Sequence, residues 1–185
     1  RAVALNADDP DIYYHRGQVH FILGEFEAAM SDYSKSTSLD DTFIFSQVQH
    51  AVASYKLGNI ARSTAEFCRI LKKFSDSSES YNYFGELMLD QQRHEDAVAN
   101  FDKSIALEQA KPKGKNVLPM INKALVLFQW KQDLTGAEQL CRDALRIDPD
   151  CDVAIAALAQ LSLQEREMPE ALACFRTSGG WARPE

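Results

Sequence analysis

The sequence lacks the motifs by which many enzymes and metal sites are recognised. It contains no GxxxxGK[ST], GxGxxG, HExxH or GxSxG segment, so nucleotide-binding, metalloprotease and hydrolase functions have no anchor in it. None of its four cysteines forms a CxxC pair, and no histidine stands at ligand spacing from a cysteine. We therefore expect a chain that is not an enzyme and that holds no metal ion or cofactor.

Long apolar runs and an excess of positive charge are also absent. No apolar segment approaches the ~20 residues that cross a bilayer, and the first residues do not resemble a signal peptide. The net charge is -7, which argues against a general surface for nucleic acid or anionic membranes. Four cysteines in 185 residues make no disulfide framework. We expect a reducing, cytosol-facing setting and a protein partner, with no nucleic acid bound.

What the sequence does contain is an internal repeat, with a period of about 34 residues. Small and aromatic residues recur with this period: Gly17, Ala51 and Gly85, and Tyr33, Phe67 and Phe101. Such a pattern is the signature of the tetratricopeptide repeat, a hairpin of two antiparallel helices, A and B. The small residues let the two helices approach closely. One hairpin cannot bury its apolar stripe alone, so the hairpins must stack.

The repeat predicts an all-α fold, a right-handed superhelical solenoid of about five helix-turn-helix repeats. In the fifth repeat, Ala171 and Phe175 follow Ala137 and Cys141 by one full period. Extra residues before the fourth repeat form a loop. Residues 1–9 are expected to end a preceding helix B, and residues 179–185 to form an irregular tail. The expected repeats are 10–41, 42–75, 76–109, 116–149 and 150–178.

Three segments carry a closer resemblance. They are "YYHRGQ" at 13–18, "FDKSIALE" at 101–108 and "QWKQDL" at 129–134. With these segments, residues 1–178 resemble the family of seventy-kilodalton receptors of the mitochondrial outer-membrane translocase. The resemblance implies a cytosol-facing receptor region whose transmembrane anchor lies outside this chain.

The same resemblance implies the partners. The later repeats of that family bind mitochondrial precursors, notably hydrophobic carriers with internal targeting segments, and other translocase subunits are further candidates. Its earlier repeats, outside this chain, dock the EEVD tails of heat-shock chaperones.

Two other functions stay open, a co-chaperone-type module and a general scaffold for protein–protein interaction. A chaperone-docking clamp needs lysine, asparagine and arginine at fixed positions of three successive helices A, where they hold two carboxylates. We expect no specific binding of an EEVD peptide, because those positions lack the cations. Repeats of identical architecture hold unrelated partners, so the scaffold remains an alternative. Counted from the first repeat, the clamp positions hold Tyr14, Gln18, Gln49, Glu79 and Tyr83.

The helices A of a tetratricopeptide array line a concave groove, which is the predicted binding site. The second and fourth repeats present apolar residues to it, and Glu86 between them is expected to steer basic partners. Such a groove suits a helix with leucines on one face and basic residues on another. Four residues are expected to carry the affinity: Val52, Tyr55, Ile121 and Leu125. The full predicted set is Tyr14, Gln18, Phe45, Val48, Val52, Tyr55, Asn82, Glu86, Leu118, Ile121, Leu125 and Phe128.

Arg16 stands at a helix A position that is usually apolar. We expect its stem to pack against neighbouring side chains. Its guanidinium is expected to reach an acidic side chain or helix-end carbonyls of the preceding repeat. A direct role in precursor binding is the alternative.

Overall fold

The regular structure is entirely α-helical in residues 8–112, 114 and 116–177, which a computed structural model describes, with side chains as far as residue 164. The chain divides into two compact units, residues 1–84 (unit 1) and 85–185 (unit 2). The helices are, in chain order, α1 Pro10–Ile22, α2 Phe26–Leu39, α3 Ile44–Lys56, α4 Ile60–Lys73, α5 Ser78–Asp90, α6 His94–Ala110, α7 Leu118–Lys131, α8 Leu134–Ile147 and α9 Asp152–Thr177.

The first eight helices alternate as helices A and B of four successive repeats. In unit 1, α1 packs on α2 and α3 on α4, and in unit 2, α7 packs on α8. Helix α5 begins in unit 1 and ends in unit 2, where its Gly85 lies against Phe101 of α6. The predicted fold class, an all-α tetratricopeptide-repeat protein, is confirmed. The exact repeat boundaries stay predictions.

The turns between helix A and helix B share one backbone conformation. Each contains a residue with left-handed φ, at 79° for Gly24, 81° for Gly58, 61° for Gln92 and 55° for Gln132. Glycine adopts this conformation without a Cβ penalty. In the first turn, the N–H after the glycine donates to the His20 carbonyl at 2.9 Å, which satisfies the end of α1. The recurring turn gives the hairpins a common register.

The fifth repeat differs from the prediction. Residues Asp152–Thr177 form one continuous helix in place of a hairpin. The segment 159–168, where the turn was expected, contains no glycine, asparagine or aspartate. Its leucine, glutamine, glutamate, arginine and methionine residues are strong helix formers, so local propensity continues the helix. The predicted helix end at 1–9 falls mostly on residues 1–7 and the predicted tail on 179–185, both outside the described residues.

Helix A crosses helix B at the small residue of each repeat. A Cβ atom added to Gly17 would lie 2.7 Å from Cε1 of Tyr33, and one added to Gly85 would lie 2.6 Å from Cε1 of Phe101. Both rings are fully buried. The crossing therefore leaves no room for a side chain on either glycine.

Arg16 forms an ion pair beside this crossing. Its Nε donates to Oδ2 of Asp32 at 2.6 Å, and its Nη2 donates to Oδ1. The side chain of Asp32 is 7% exposed, whereas that of Arg16 is 45% exposed. The predicted acidic partner is present, but it lies on helix B of the same repeat and not in the preceding one. The pair neutralises a carboxylate that burial would otherwise destabilise.

Replacing Gly85 with alanine is expected to lower the free energy of unfolding by about 1–2 kcal/mol through overpacking. Alanine favours a helix more than glycine does, but here the added methyl group would overlap the buried ring of Phe101. Urea unfolding followed by circular dichroism measures the change. The same substitution should cost less in a Phe101→Leu background, because the smaller side chain leaves space. An equal cost in both backgrounds would contradict the proposed clash.

Replacing Arg16 with methionine is expected to lower the free energy of unfolding by about 2 kcal/mol, because the carboxylate of Asp32 would remain buried with only His20, whose Nε2 is 3.8 Å from Oδ2, as a basic neighbour. Urea unfolding again gives the measurement. Adding Asp32→Leu to the Arg16→Met variant should restore most of the loss, since no buried charge is then left. A double variant as unstable as the single one would show that packing, and not charge, explains the effect.

Candidate partner-binding site

Four aromatic rings form a cluster on unit 1, at the start of the helices A. The ring of Tyr14 meets that of Phe43 edge-on, with centroids 5.2 Å apart and an interplanar angle of 84°. Phe45 lies 6.0 Å from Phe43 and 6.4 Å from Tyr14. Tyr33 closes the cluster beneath Tyr14, at 6.1 Å. Phe45 is 45% exposed, so the cluster presents an aromatic edge to a partner.

Polar side chains fix the orientation of this cluster. The Nε2 of Gln18 donates to the hydroxyl of Tyr14 at 2.7 Å, and its Oε1 lies 3.3 Å from Nδ1 of His15. Burial and the nearby Tyr83 raise the pKa of Tyr14, which the hydrogen bond from Gln18 opposes. The phenol is therefore neutral at physiological pH, and its O–H can donate to an incoming backbone carbonyl or carboxylate.

The remaining predicted residues of unit 1 divide into accessible and buried ones. Val52 and Tyr55 are partly buried, so part of each side chain can contact a partner. Val48 is 2% exposed and Asn82 is 6% exposed, and neither can line a groove as predicted. Val48 belongs to the buried apolar face of α3, although its spacing along the helix predicts a position in the groove.

Unit 2 shows the same division on α7. Leu118 is 43% exposed, whereas Ile121 is 1% exposed and belongs to the buried core together with Met120 and Ala124. Ile121 therefore stabilises the unit and cannot carry affinity for a partner, contrary to the prediction. Phe128 packs on the edge of the same core and remains partly accessible, as does Leu125.

Glu86 supplies a fixed acidic group on unit 2. Its Oε1 accepts a hydrogen bond from Nδ2 of Asn122 at 2.9 Å. An amide donor orients the carboxylate. Glu86 is partly buried, which leaves it accessible in the predicted position.

Nine of the twelve predicted residues thus keep accessible surface, and three do not. Phe43 belongs to the aromatic cluster but was not predicted, because it precedes α3 and falls outside the helix positions that were counted. The sequence feature that could have identified Phe43 is its position two residues before Phe45, at the start of a helix A. The accessible residues are Tyr14, Gln18, Phe45, Val52, Tyr55, Glu86, Leu118, Leu125 and Phe128.

The described part of the chain shows neither a metal site nor a membrane-spanning helix. Among residues 8–112, 114 and 116–164, no three histidine, cysteine, aspartate or glutamate side chains are placed to hold a metal ion. In the same part of the chain, no helix is both long and apolar enough to cross a bilayer. What the two units offer is apolar and aromatic area with oriented polar groups beside it.

The chain is similar to known tetratricopeptide-repeat proteins, and in particular to one receptor subunit. The family model of the tetratricopeptide repeat matches residues 10–43. The mitochondrial import receptor subunit TOM70 of Mus musculus is 29% identical over 191 residues, which cover 100% of this chain and 30% of the mouse protein. TOM70 of Saccharomyces cerevisiae is 30% identical over 187 residues, which cover 99% of this chain and 30% of the yeast protein.

The crystal structure of yeast Tom70 aligns with a TM-score of 0.81 at 30% identity, over 99% of this chain and 38% of that one. The chain is a TOM70-like array of tetratricopeptide repeats. It spans about a third of the length of the curated TOM70 relatives that it matches. Each of these relatives is named as a receptor subunit, in agreement with the expectation that this TOM70-like chain is not an enzyme.

Replacing Tyr33 with phenylalanine is expected to raise the free energy of unfolding by about 1 kcal/mol. Its hydroxyl is buried and has no hydrogen-bond partner among the described residues, and burial raises the pKa of this tyrosine. Phe67 and Phe101 occupy the same repeat position, so the ring fits without a hydroxyl. Thermal unfolding measures the gain. Tyr14→Phe is the control and should give none, because the hydroxyl of Tyr14 has a partner in Gln18. A loss of stability in the Tyr33 variant would contradict the interpretation.

Proposed function

We propose that this chain is a precursor-binding module of a mitochondrial import receptor, which acts on the cytosol-facing side of the outer membrane. It binds hydrophobic, internal targeting segments of precursors such as carrier proteins on the surfaces of its helices A. Other translocase subunits are further partners, and chaperones are bound by repeats outside this chain. The likeness to TOM70 along the whole chain supports this proposal.

The surface of unit 1 supports the binding of an apolar segment. Aromatic side chains give large contact areas at a small cost in conformational entropy, and they dominate many binding hot spots. Phe45 is accessible and is held by its ring contacts with Phe43 and Tyr14. The cluster is therefore preorganised, which reduces the cost of binding.

The surface of unit 2 supports the binding of a segment that is apolar and basic. Leu118, Leu125 and Phe128 offer apolar area on α7, and Glu86 provides an oriented carboxylate. An internal targeting segment with leucines on one face and lysines or arginines on another matches both features. Glu86 would mainly raise the association rate for such a partner.

One observation carries the proposal beyond a general scaffold. Phe45 is 45% exposed and belongs to a cluster with Phe43 and Tyr14, and clustered aromatic side chains are the residues that most often carry binding energy. A co-chaperone-type module is disfavoured, because the clamp positions lack their cations.

Replacing both Phe45 and Leu118 with glutamate is expected to weaken precursor binding at least tenfold. Neither side chain belongs to the buried core, so the fold should be retained, while two apolar contacts are lost and negative charge is added. Binding is measured on arrays of peptides from carrier-type precursors, with scrambled peptides and an EEVD peptide alongside. Circular dichroism verifies the fold.

The matched control replaces Ile60 and Ile147 with glutamate. These isoleucines are 45% and 38% exposed, close to the exposure of Phe45 and Leu118, but they lie on helices B. The control should bind as the unchanged chain does. Equal weakening in both double variants, or unchanged binding in the first, would exclude the helix A surfaces as the site. Selective binding of the EEVD peptide would favour the co-chaperone alternative.

A further inference from the structure

Unit 1 contains a cavity that the proposed precursor surface does not use. It lies between α2, α3 and α4 and has a volume of about 460 Å³, within the range of small-ligand sites. An α-helix turns by about 100° per residue. The step from His50, which lines the cavity, to Val52 on the precursor surface therefore leads to nearly opposite sides of α3. The lining residues are Ser34, Thr37, Ser38, Gln47, His50, Glu66, Arg69 and Ile70.

A largely buried pair forms one wall of the cavity. Nδ1 of His50 lies 2.9 Å from Oε2 of Glu66, and the two side chains are 16% and 12% exposed. The other oxygen of Glu66 accepts a hydrogen bond from Nε of Arg62 at 2.8 Å. Both carboxylate oxygens are thus occupied, and Arg62 offsets the charge of Glu66.

The rest of the lining contains polar groups that no described residue pairs with. Arg69 forms no ion pair or hydrogen bond with any described residue, and neither does the hydroxyl of Ser34. The second ring nitrogen of His50 likewise has no partner in that part of the chain. Arg69 therefore leaves the cavity with an uncompensated positive charge, in a chain whose net charge is -7.

The lining also has an apolar side and groups that accept hydrogen bonds. Ile70 is 4% exposed and forms apolar floor. The hydroxyls of Thr37 and Ser38 donate to backbone carbonyls of Tyr33 and Lys35, so their oxygens can still accept. A ligand that fits this lining is anionic at one point, has a short apolar body and carries N–H donors. A glutamate residue within a peptide meets all three conditions.

We propose that this cavity is a second binding site, which takes a carboxylate on a short aliphatic stem, with Arg69 as its ionic partner. Arginine holds a carboxylate through two parallel hydrogen bonds, and a single uncompensated guanidinium matches a single negative charge. The carboxylate can come from an acidic side chain of a partner protein or from a free short monocarboxylic acid that carries an amide N–H. The site is independent of the precursor surface.

The test is a ¹H–¹⁵N NMR titration of the chain with three probes. They are the blocked peptide acetyl-Leu-Glu-Leu-amide, the same peptide with glutamine in place of glutamate, and 4-acetamidobutyrate, which has one carboxylate, a three-carbon stem and one amide N–H. The glutamate peptide is expected to bind with millimolar affinity, and to shift the amides of the second half of α2, the middle of α3 and the second half of α4. The glutamine peptide should bind at least tenfold more weakly, because it cannot pair with the guanidinium.

Two substitutions locate the effect. Arg69→Gln should weaken binding of the glutamate peptide at least tenfold, and the exposure of Arg69 makes this variant safe for the fold. Lys103→Gln is the matched control, because Lys103 is an exposed cation at the equivalent position of the next repeat, on α6. It should leave binding unchanged.

The outcomes separate the two sources of the carboxylate and test the site itself. Binding of the glutamate peptide without binding of 4-acetamidobutyrate supports a partner protein, and comparable binding of 4-acetamidobutyrate supports a small acid. The absence of saturable shifts around the cavity with both acidic probes would overturn the proposal. Equal affinity of the Arg69→Gln variant for the probe that binds would overturn it as well.

Discussion

The structure depends on how closely helix A approaches helix B inside each repeat. Gly17 lies under the ring of Tyr33, and Gly85 and Phe101 repeat this contact with the same separation along the chain. Because a buried ring fills the space opposite each glycine, the hairpin has one register. That register decides which residues of both helices are buried and which remain for a partner.

The same register creates polar pairs beside the apolar crossing. Arg16 and Asp32 are sixteen residues apart, as are His50 and Glu66, and the second pair follows the first by one repeat period. The two pairs are therefore one structural position, filled by different chemistry in successive repeats. Each oxygen of Asp32 accepts one hydrogen bond from Arg16, and Nε2 of His20 lies 3.8 Å from Oδ2. The imidazole of His50 contacts one oxygen of Glu66, and Arg62 donates a hydrogen bond to the other. Nε2 of His50 has no partner among the described residues.

The sequence predicts the paired helices well, because small and aromatic residues must recur wherever two helices cross closely. It fails in the fifth repeat, where the period continues but residues 159–168 contain no glycine, asparagine or aspartate, and a single helix forms. For the predicted site, periodicity identifies the helices A and their positions, but it cannot show how far neighbouring side chains cover those positions. Val48 and Ile121 have groove spacing, yet packing covers both.

Arg16 and His50 occupy equivalent positions, each paired with an acidic residue sixteen positions later. This equivalence explains why unit 1 can present two independent surfaces. Arg16 and His50 turn toward helix B, so the residues two positions later, Gln18 and Val52, turn away from it. The first direction leads to the ion pair and to the cavity beside Glu66, and the second to the aromatic cluster around Tyr14. Since no residue lines both, an acidic ligand in the cavity need not displace an apolar segment on the helix A surface. Occupancy of one site can then change without loss of the other.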